Sequence, residues 1–178
     1  MKRRLALGMP LLLASTRPAR ADSAPAQPGE AVRWPGVQLL DGRRLEPAHW
    51  QGRAAVVVFW STTCPFCLRH NVHVEKLHRA ARAAGLPLTV LGVARDRSAE
   101  AVRRHVAVQG YSFDVTMDAP SLRAALASRN MIPLTAAVRR DGRLAQVLPG
   151  EMFEDDVMQM MQLGREPWAE PRREERRS

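Results

Sequence analysis

Ala54-Ala55-Val56-Val57-Val58-Phe59-Trp60-Ser61-Thr62-Thr63-Cys64-Pro65-Phe66-Cys67 is the stretch on which the fold turns. From Ala54 to Phe59 it is continuously apolar and rich in β-branched residues, the pattern of a strand buried on both faces. Ser61-Thr62-Thr63 then interrupts it with polar residues, and the chain beyond has helical periodicity with no glycine before Gly85. The cysteine pair therefore lies where a central strand ends and a helix begins. Unpaired N–H groups and the helix dipole stabilise a thiolate at such a junction. Cys67 falls nearly one turn beyond Cys64, close enough to bridge it. These are the 2 cysteines of the chain, so no structural disulfide competes for them. The spacing is that of a dithiol that cycles, the chemistry of thiol–disulfide exchange.

Outward from this stretch, the N-terminus reads as an export signal. Lys2, Arg3 and Arg4 precede a largely apolar run from Leu5 to Ala14, and Ala19-Arg20-Ala21 supplies a small-x-small cleavage site. Residues 1–21 are expected to be a cleaved signal peptide, with Asp22 as the first mature residue. The alternative is a short uncleaved anchor, disfavoured because the apolar run is too short to span a bilayer comfortably. Lys2, Arg3, Arg4, Arg17 and Arg20, with no acid among them, account for about half of the formal charge of +9. The remaining arginines are scattered among acids with few aromatics beside them, which argues against a nucleic-acid groove. Residues 22–34 are expected to be a flexible segment and 165–178, rich in Pro, Glu and Arg, a disordered charged tail. Between them, 35–164 has the size of one domain.

Within that domain the elements follow in order. Asp41-Gly42 marks a turn in a short hairpin over 37–45. After the 54–60 strand comes a helix from Pro65 to about Ala84, then a buried strand over 88–93. Ser98 is placed to cap a helix running to about Val108. A short strand over 113–115 and a short helix over 121–128 follow. Strands over 135–138 and 143–148 flank Asp141-Gly142 as a hairpin, and a single amphipathic helix over 153–163 closes the domain. Strands alternating with helices and ending in a hairpin imply a mixed sheet with helices on both faces, an α/β fold. Pro133, after Met131-Ile132, stands just before a strand, so it either opens the strand or marks a special turn.

Three stretches together resemble the thioredoxin fold, in its exported TlpA/ResA-like branch. They are Gly52 to Cys67, Ile132-Pro133-Leu134-Thr135, and Arg140-Asp141-Gly142-Arg143. A lone C-x-x-C is weak, since zinc sites use it too; the motif after a strand, with the Ile-Pro and hairpin downstream, is specific. The resemblance implies a thioredoxin-like three-layer fold over about 35–163, with room for one extra β–α unit between the cysteines and Pro133. It implies that Pro133 is cis and packs beside the cysteines, with Ile132 offering backbone groups to an extended substrate. Three departures stand out. Thr63 replaces the usual Trp before the first cysteine. His70-Asn71-Val72 replaces an acidic-Met-Pro sequence that kinks the helix. Val58 stands where thioredoxin has a buried Asp.

Residue chemistry and resemblance agree on roles. Cys64 is expected to be the exposed nucleophile and Cys67 the residue that resolves the mixed disulfide. Pro65 pre-sets the helix at a position whose N–H would be orphaned anyway. Phe66 adds no charge. Thr63, Pro65 and Phe66, with Ile132 and Pro133, are expected to contact substrate. Trp60 is expected to pack under the site, with a plain core role as the alternative. His70 shares a helical face with Phe66, Val74, Leu77 and Ala81, which suggests packing; tuning of Cys67 or substrate contact is the other reading.

A zinc site from Cys64, Cys67, His70 and His73 is unfavourable, because Cys64 and His73 fall about 180° apart on a straight helix. No metal and no cofactor beyond the redox-active pair is expected. Cu(I) held by the two thiolates, as in a metallochaperone, is a competing function. The resemblance favours a protein-disulfide reductase of the periplasm, supplied by a membrane-embedded thiol reductant. Apocytochrome c or copper-site thiols are its implied substrates, and the protein itself is expected to be a monomer. An oxidase or isomerase would use the same residues.

Overall fold

A computed structural model describes residues 24–127 and 129–167. The signal-peptide expectation over 1–21 and most of the expected tail lie outside them. The 54–60 run is indeed a strand, β3 (Ala54–Trp60), and every residue of it is buried. Because side chains alternate across a strand, it feeds two cores at once. Ala54, Val56, Val58 and Trp60 enter one, and Ala55, Val57 and Phe59 the other.

A short hairpin precedes it, β1 (Val37–Gln38) paired antiparallel with β2 (Arg44–Leu45). After it come α1 (Pro65–Ala83), β4 (Leu88–Ala94), α2 (Ala99–Gln109) and β5 (Asp114–Thr116). Then follow α3 (Ala119–Leu126), β6 (Leu134–Val138), β7 (Leu144–Pro149), α4 (Glu154–Gln159) and α5 (Met161–Arg165). The main sheet has the order β5-β4-β3-β6-β7. β3, β4 and β5 are parallel, while β6 and β7 run antiparallel to their neighbours. Residues of α1, α2 and α4 pack on one face; the β1–β2 hairpin and α3 pack on the other. This is the expected three-layer arrangement, and the chain between β4 and β6 holds α2, β5 and α3.

Local chemistry sets the boundaries. Ser98 caps α2 by accepting from the Ala101 amide at 3.2 Å, and Gly110, at φ 66°, ends it in the left-handed conformation that glycine adopts freely. Gly92 has a different reason: a β-carbon there would lie 2.8 Å from Phe113 and 2.9 Å from the Trp60 indole nitrogen. Despite lacking the family's kink sequence, α1 runs unbroken over 19 residues.

Three expectations are corrected. The single closing helix is two, α4 and α5, which meet at Met160. The 24–34 part of the segment expected to be flexible is bonded to the domain. Ala26 N donates to Ala125 O, Gly29 N to Leu144 O and Val32 N to Gly142 O, at 3.1, 2.8 and 2.9 Å. Trp34 stacks on Trp50 with ring centroids 3.9 Å apart. The physical reason is that β7 is an edge strand, whose start offers unpaired backbone groups to any neighbouring segment. Finally, the expected tail begins inside the fold, since Arg165 belongs to α5 and the Glu166 carbonyl accepts from Arg140 at 3.0 Å.

Candidate active site

At the C-terminal end of β3 the 61–64 turn is held from the neighbouring strand. The Arg95 amide donates to Trp60 O at 2.9 Å. The Asp96 carboxylate accepts from the Thr62 amide, at 3.1 and 3.2 Å to its two oxygens, and from the Thr62 hydroxyl. Cys64 then sits at the N-cap of α1 with Pro65 in the first turn. The Cys67 amide donates to Cys64 Sγ at 3.1 Å. That bond is the helix-start stabilisation expected for a nucleophilic sulfur. The two cysteines form a disulfide with Cα atoms 5.2 Å apart. Cys64 is partly exposed, whereas Cys67 is 0% exposed. An incoming sulfur can reach only the first.

Behind the pair, His70 is fully buried. Its Nδ1 accepts from the Met152 amide at 3.3 Å, so the ring proton is on Nε2, which donates to Thr135 Oγ1 at 3.1 Å. Burial pushes its pKa down to about 4, with His73 adding a smaller push in the same direction. The imidazole is therefore neutral at physiological pH and packs as the helical face suggested; it is too deep to touch a substrate. His73 lies 3.5 Å from Glu154, so the two imidazoles are turned to separate partners.

The rim is completed by the other side of the sheet. The Ile132-Pro133 bond is cis, and the Pro133 carbonyl accepts from the Gly150 amide at 2.8 Å. Ile132 is half-buried and has no backbone hydrogen bond among the described residues. Phe66, Met131 and Phe153 are 57%, 40% and 84% exposed. The Arg69 guanidinium lies 5.0 Å above the Phe66 ring and binds both Glu151 oxygens, at 2.8 and 2.6 Å. The hydrogen bonds from that guanidinium, and then its charge, hold the Glu151 carboxyl below its usual range.

The expected site residues thus divide. Thr63, Pro65 and Phe66 are exposed around Cys64, and Pro133 is buried beside Ile132 just before β6. Trp60 is 1% exposed and packs against His105 and Tyr111, with centroids 5.5 and 6.1 Å away. Of its two readings, the core aromatic is the one its contacts describe. Asp96, Thr135, Glu151 and Met152 were missed. One signal pointed to Asp96: it follows directly on a buried strand, and sites in such sheets gather at carboxyl strand ends. Nothing in the local sequence marks the other three.

A strand-to-helix disulfide with one open and one buried sulfur, at the sheet end where β6 begins after a cis-proline, defines a thioredoxin-fold thiol–disulfide oxidoreductase. The chain belongs to the Redoxin family, whose model matches residues 22–160. It is 27% identical over 143 residues to the thiol-disulfide oxidoreductase ResA of Halalkalibacterium halodurans, covering 80% of each chain. To ResA of Bacillus subtilis it is 21% identical over 127 residues, covering 71% of this chain and 70% of the relative. Solved structures share the fold. A thioredoxin-family thiol:disulfide interchange protein from Chlorobium tepidum superposes with a TM-score of 0.67 at 23% identity, covering 79% of this chain and 99% of that one. A secreted Mycobacterium tuberculosis disulfide oxidoreductase superposes at 0.61, with 23% identity, over 71% of this chain and 93% of that one. Among the described residues no helix is long and apolar enough to cross a membrane.

Proposed function

We propose that the protein is an exported protein-disulfide reductase. The observation that carries the reading is the asymmetry of the pair: Cys64 is reachable and accepts the Cys67 amide, while Cys67 is buried beneath it. In the reduced form the Cys64 thiolate attacks one sulfur of a substrate disulfide. That S–S bond breaks, a mixed disulfide forms, and the departing substrate thiolate takes up a proton. Cys67, as its thiolate, then attacks Cys64 Sγ. The second substrate sulfur leaves as a thiol, and two electrons have passed to the substrate. A membrane-embedded dithiol reductant restores the pair by the same exchange in reverse.

The free backbone of Ile132 suits an extended substrate segment laid across the site, as in strand addition, with Thr63, Pro65, Phe66 and Pro133 around it. The direction of electron flow is supported by the uncharged dipeptide between the two cysteines. Strong oxidants of this fold owe their potential to a stabilised thiolate. Here Pro65-Phe66 is uncharged and His70 is neutral, leaving one amide bond as the nearest support. Export is supported by the sequence of residues 1–21 and by the secreted M. tuberculosis neighbour. Apocytochrome c and copper-site thiols are the substrates this reading favours.

Equilibration with a dithiol buffer tests the direction. A potential near the thioredoxin value of about −270 mV supports a reductase, and one near about −120 mV identifies an oxidase. Stoichiometric Cu(I) retention with poor disulfide exchange would identify a metallochaperone instead.

A further inference from the structure

Charge at the Cys64 end of the sheet is segregated by side. Beyond β4, Arg95 and Arg97 flank Asp96, whose carboxylate is committed to Thr62. The Arg95 amide bonds Trp60 O at 2.9 Å, which places the residue beside the 61–64 turn. Arg123, half-buried on α3, donates to Asn130 Oδ1 at 2.5 Å, in the segment leading to Ile132. Arg129 is exposed in that same segment. Among the described residues, none of these four arginines is ion-paired with a carboxylate. Arg123 also carries a mark of its setting: burial, and then the charge of Arg95, hold its guanidinium pKa below the usual value.

The β7 side is the opposite. Arg69 and Lys76 are matched by Glu151 and Glu154 at 2.6 Å each. Asp155 and Asp156 stand exposed in the first turn of α4, and among the described residues no ion pair engages either. An extended segment lying on Ile132 and reaching Cys64 therefore passes between a basic rim and an acidic one. Uncompensated like charges repel in the free protein, and an incoming carboxylate relieves that repulsion.

We propose that the arginine rim of Arg95, Arg97, Arg123 and Arg129 docks an acidic stretch of the protein whose disulfide reaches Cys64. The inference rests on the thiol–disulfide reading and adds a substrate class to it: disulfides flanked on one side by Asp or Glu.

Three matched disulfide peptides, with Glu, Gln or Lys on one flank of the cystine, test it in exchange with the reduced protein. A fluorescent, cysteine-free version of each is titrated against the oxidised protein by anisotropy. A small neutral disulfide is assayed beside them with the unaltered protein. The Glu peptide is expected to show a KM and a Kd roughly ten-fold below those of the Lys peptide at low salt. The gap should close at about 500 mM salt, where screening shortens the reach of charge, and close or invert in Arg95→Glu/Arg123→Glu. Equal Kd values for the three peptides overturn the rim, as does a gap that survives the double substitution. Equal Kd values together with tight binding to anionic vesicles would assign the arginines to a membrane surface and overturn it as well. Selective binding of the Glu peptide without turnover of any disulfide, the neutral one included, leaves the rim standing and defeats the thiol–disulfide reading.

Discussion

His70 Nε2 donates to Thr135 Oγ1 at 3.1 Å, which ties the helix that carries Cys67 to the strand that follows the cis-proline. The other ring nitrogen accepts from Met152 at 3.3 Å, so one imidazole joins three segments around the disulfide. The bond from Met152 needs the neutral ring, since an imidazolium has no acceptor nitrogen, and burial keeps the ring neutral by lowering the pKa to about 4.

Stability should therefore fall on mild acidification. Between about 6.5 and about 4 the unfolded chain binds more protons at this position than the folded one. The contribution is complete above the upper value and is lost as pH falls through the lower. By linkage it amounts to about 3 kcal/mol at most. Urea unfolding at pH 7.5, 5.5 and 4.5 measures it against His70→Gln, which keeps a donor for Thr135 and does not titrate. The variant's profile should be flatter. Parallel profiles would mean that His70 does not set the dependence.

The two thiols should differ sharply in reactivity once reduced. Alkylation should label Cys64 first by at least about ten-fold, because the thiolate is the reactive form and Cys67 is buried. Cys67→Ser should accumulate a mixed disulfide with a protein substrate, and Cys64→Ser should lose exchange altogether. Peptide mapping after timed alkylation checks the order; faster labelling of Cys67 would reverse the assignment.

Asp96→Ala should loosen the turn before the nucleophile. It removes the acceptor for both the amide and the hydroxyl of Thr62. Loss of hydrogen bonds to a charged acceptor costs about 1.5–3 kcal/mol. Asp96→Asn, which keeps one acceptor oxygen, should recover part of it. Amide hydrogen exchange at Thr62 reports the change directly, and unaltered protection there would show that Asp96 does not hold the turn.

Gly92→Ala should destabilise the protein without touching the disulfide. The added methyl would meet Phe113 at 2.8 Å and the Trp60 nitrogen at 2.9 Å. Overpacking of this kind costs about 1–3 kcal/mol. A lowered Tm with a shift in tryptophan emission is expected; an unchanged Tm would mean that the ring pair moves aside freely.

The elements nearest the cysteines were legible because their signals are local. An apolar run, a polar break and a following amphipathic stretch placed β3 and α1 nearly to the residue, and Ser98 announced the start of α2. The junction between α4 and α5 was not legible. Apolar periodicity continues from Phe153 through Met160 and Met161 to Leu163, and the break at Met160 follows no Pro or Gly. The ordering of 24–34 escaped for a different reason. Its composition is that of a loose segment, and its partners, Ala125, Gly142 and Leu144, are far away in the chain.

By itself, the sequence determined that two thiols stand at a strand–helix junction and what class of fold holds them. Periodicity, capping and spacing act over a few residues, so the chain displays them directly. Only the tertiary structure decided which groups surround the pair. Parallel pairing of β3 with β4 brings Asp96 to Thr62, and antiparallel pairing of Val58 with Thr135 brings an acceptor to His70. Burial then chooses the imidazole's charge and seals Cys67 beneath Cys64. Desolvation and cross-strand contact belong to the packed sheet, where residues remote in sequence share one end of it, and no local stretch of sequence carries them.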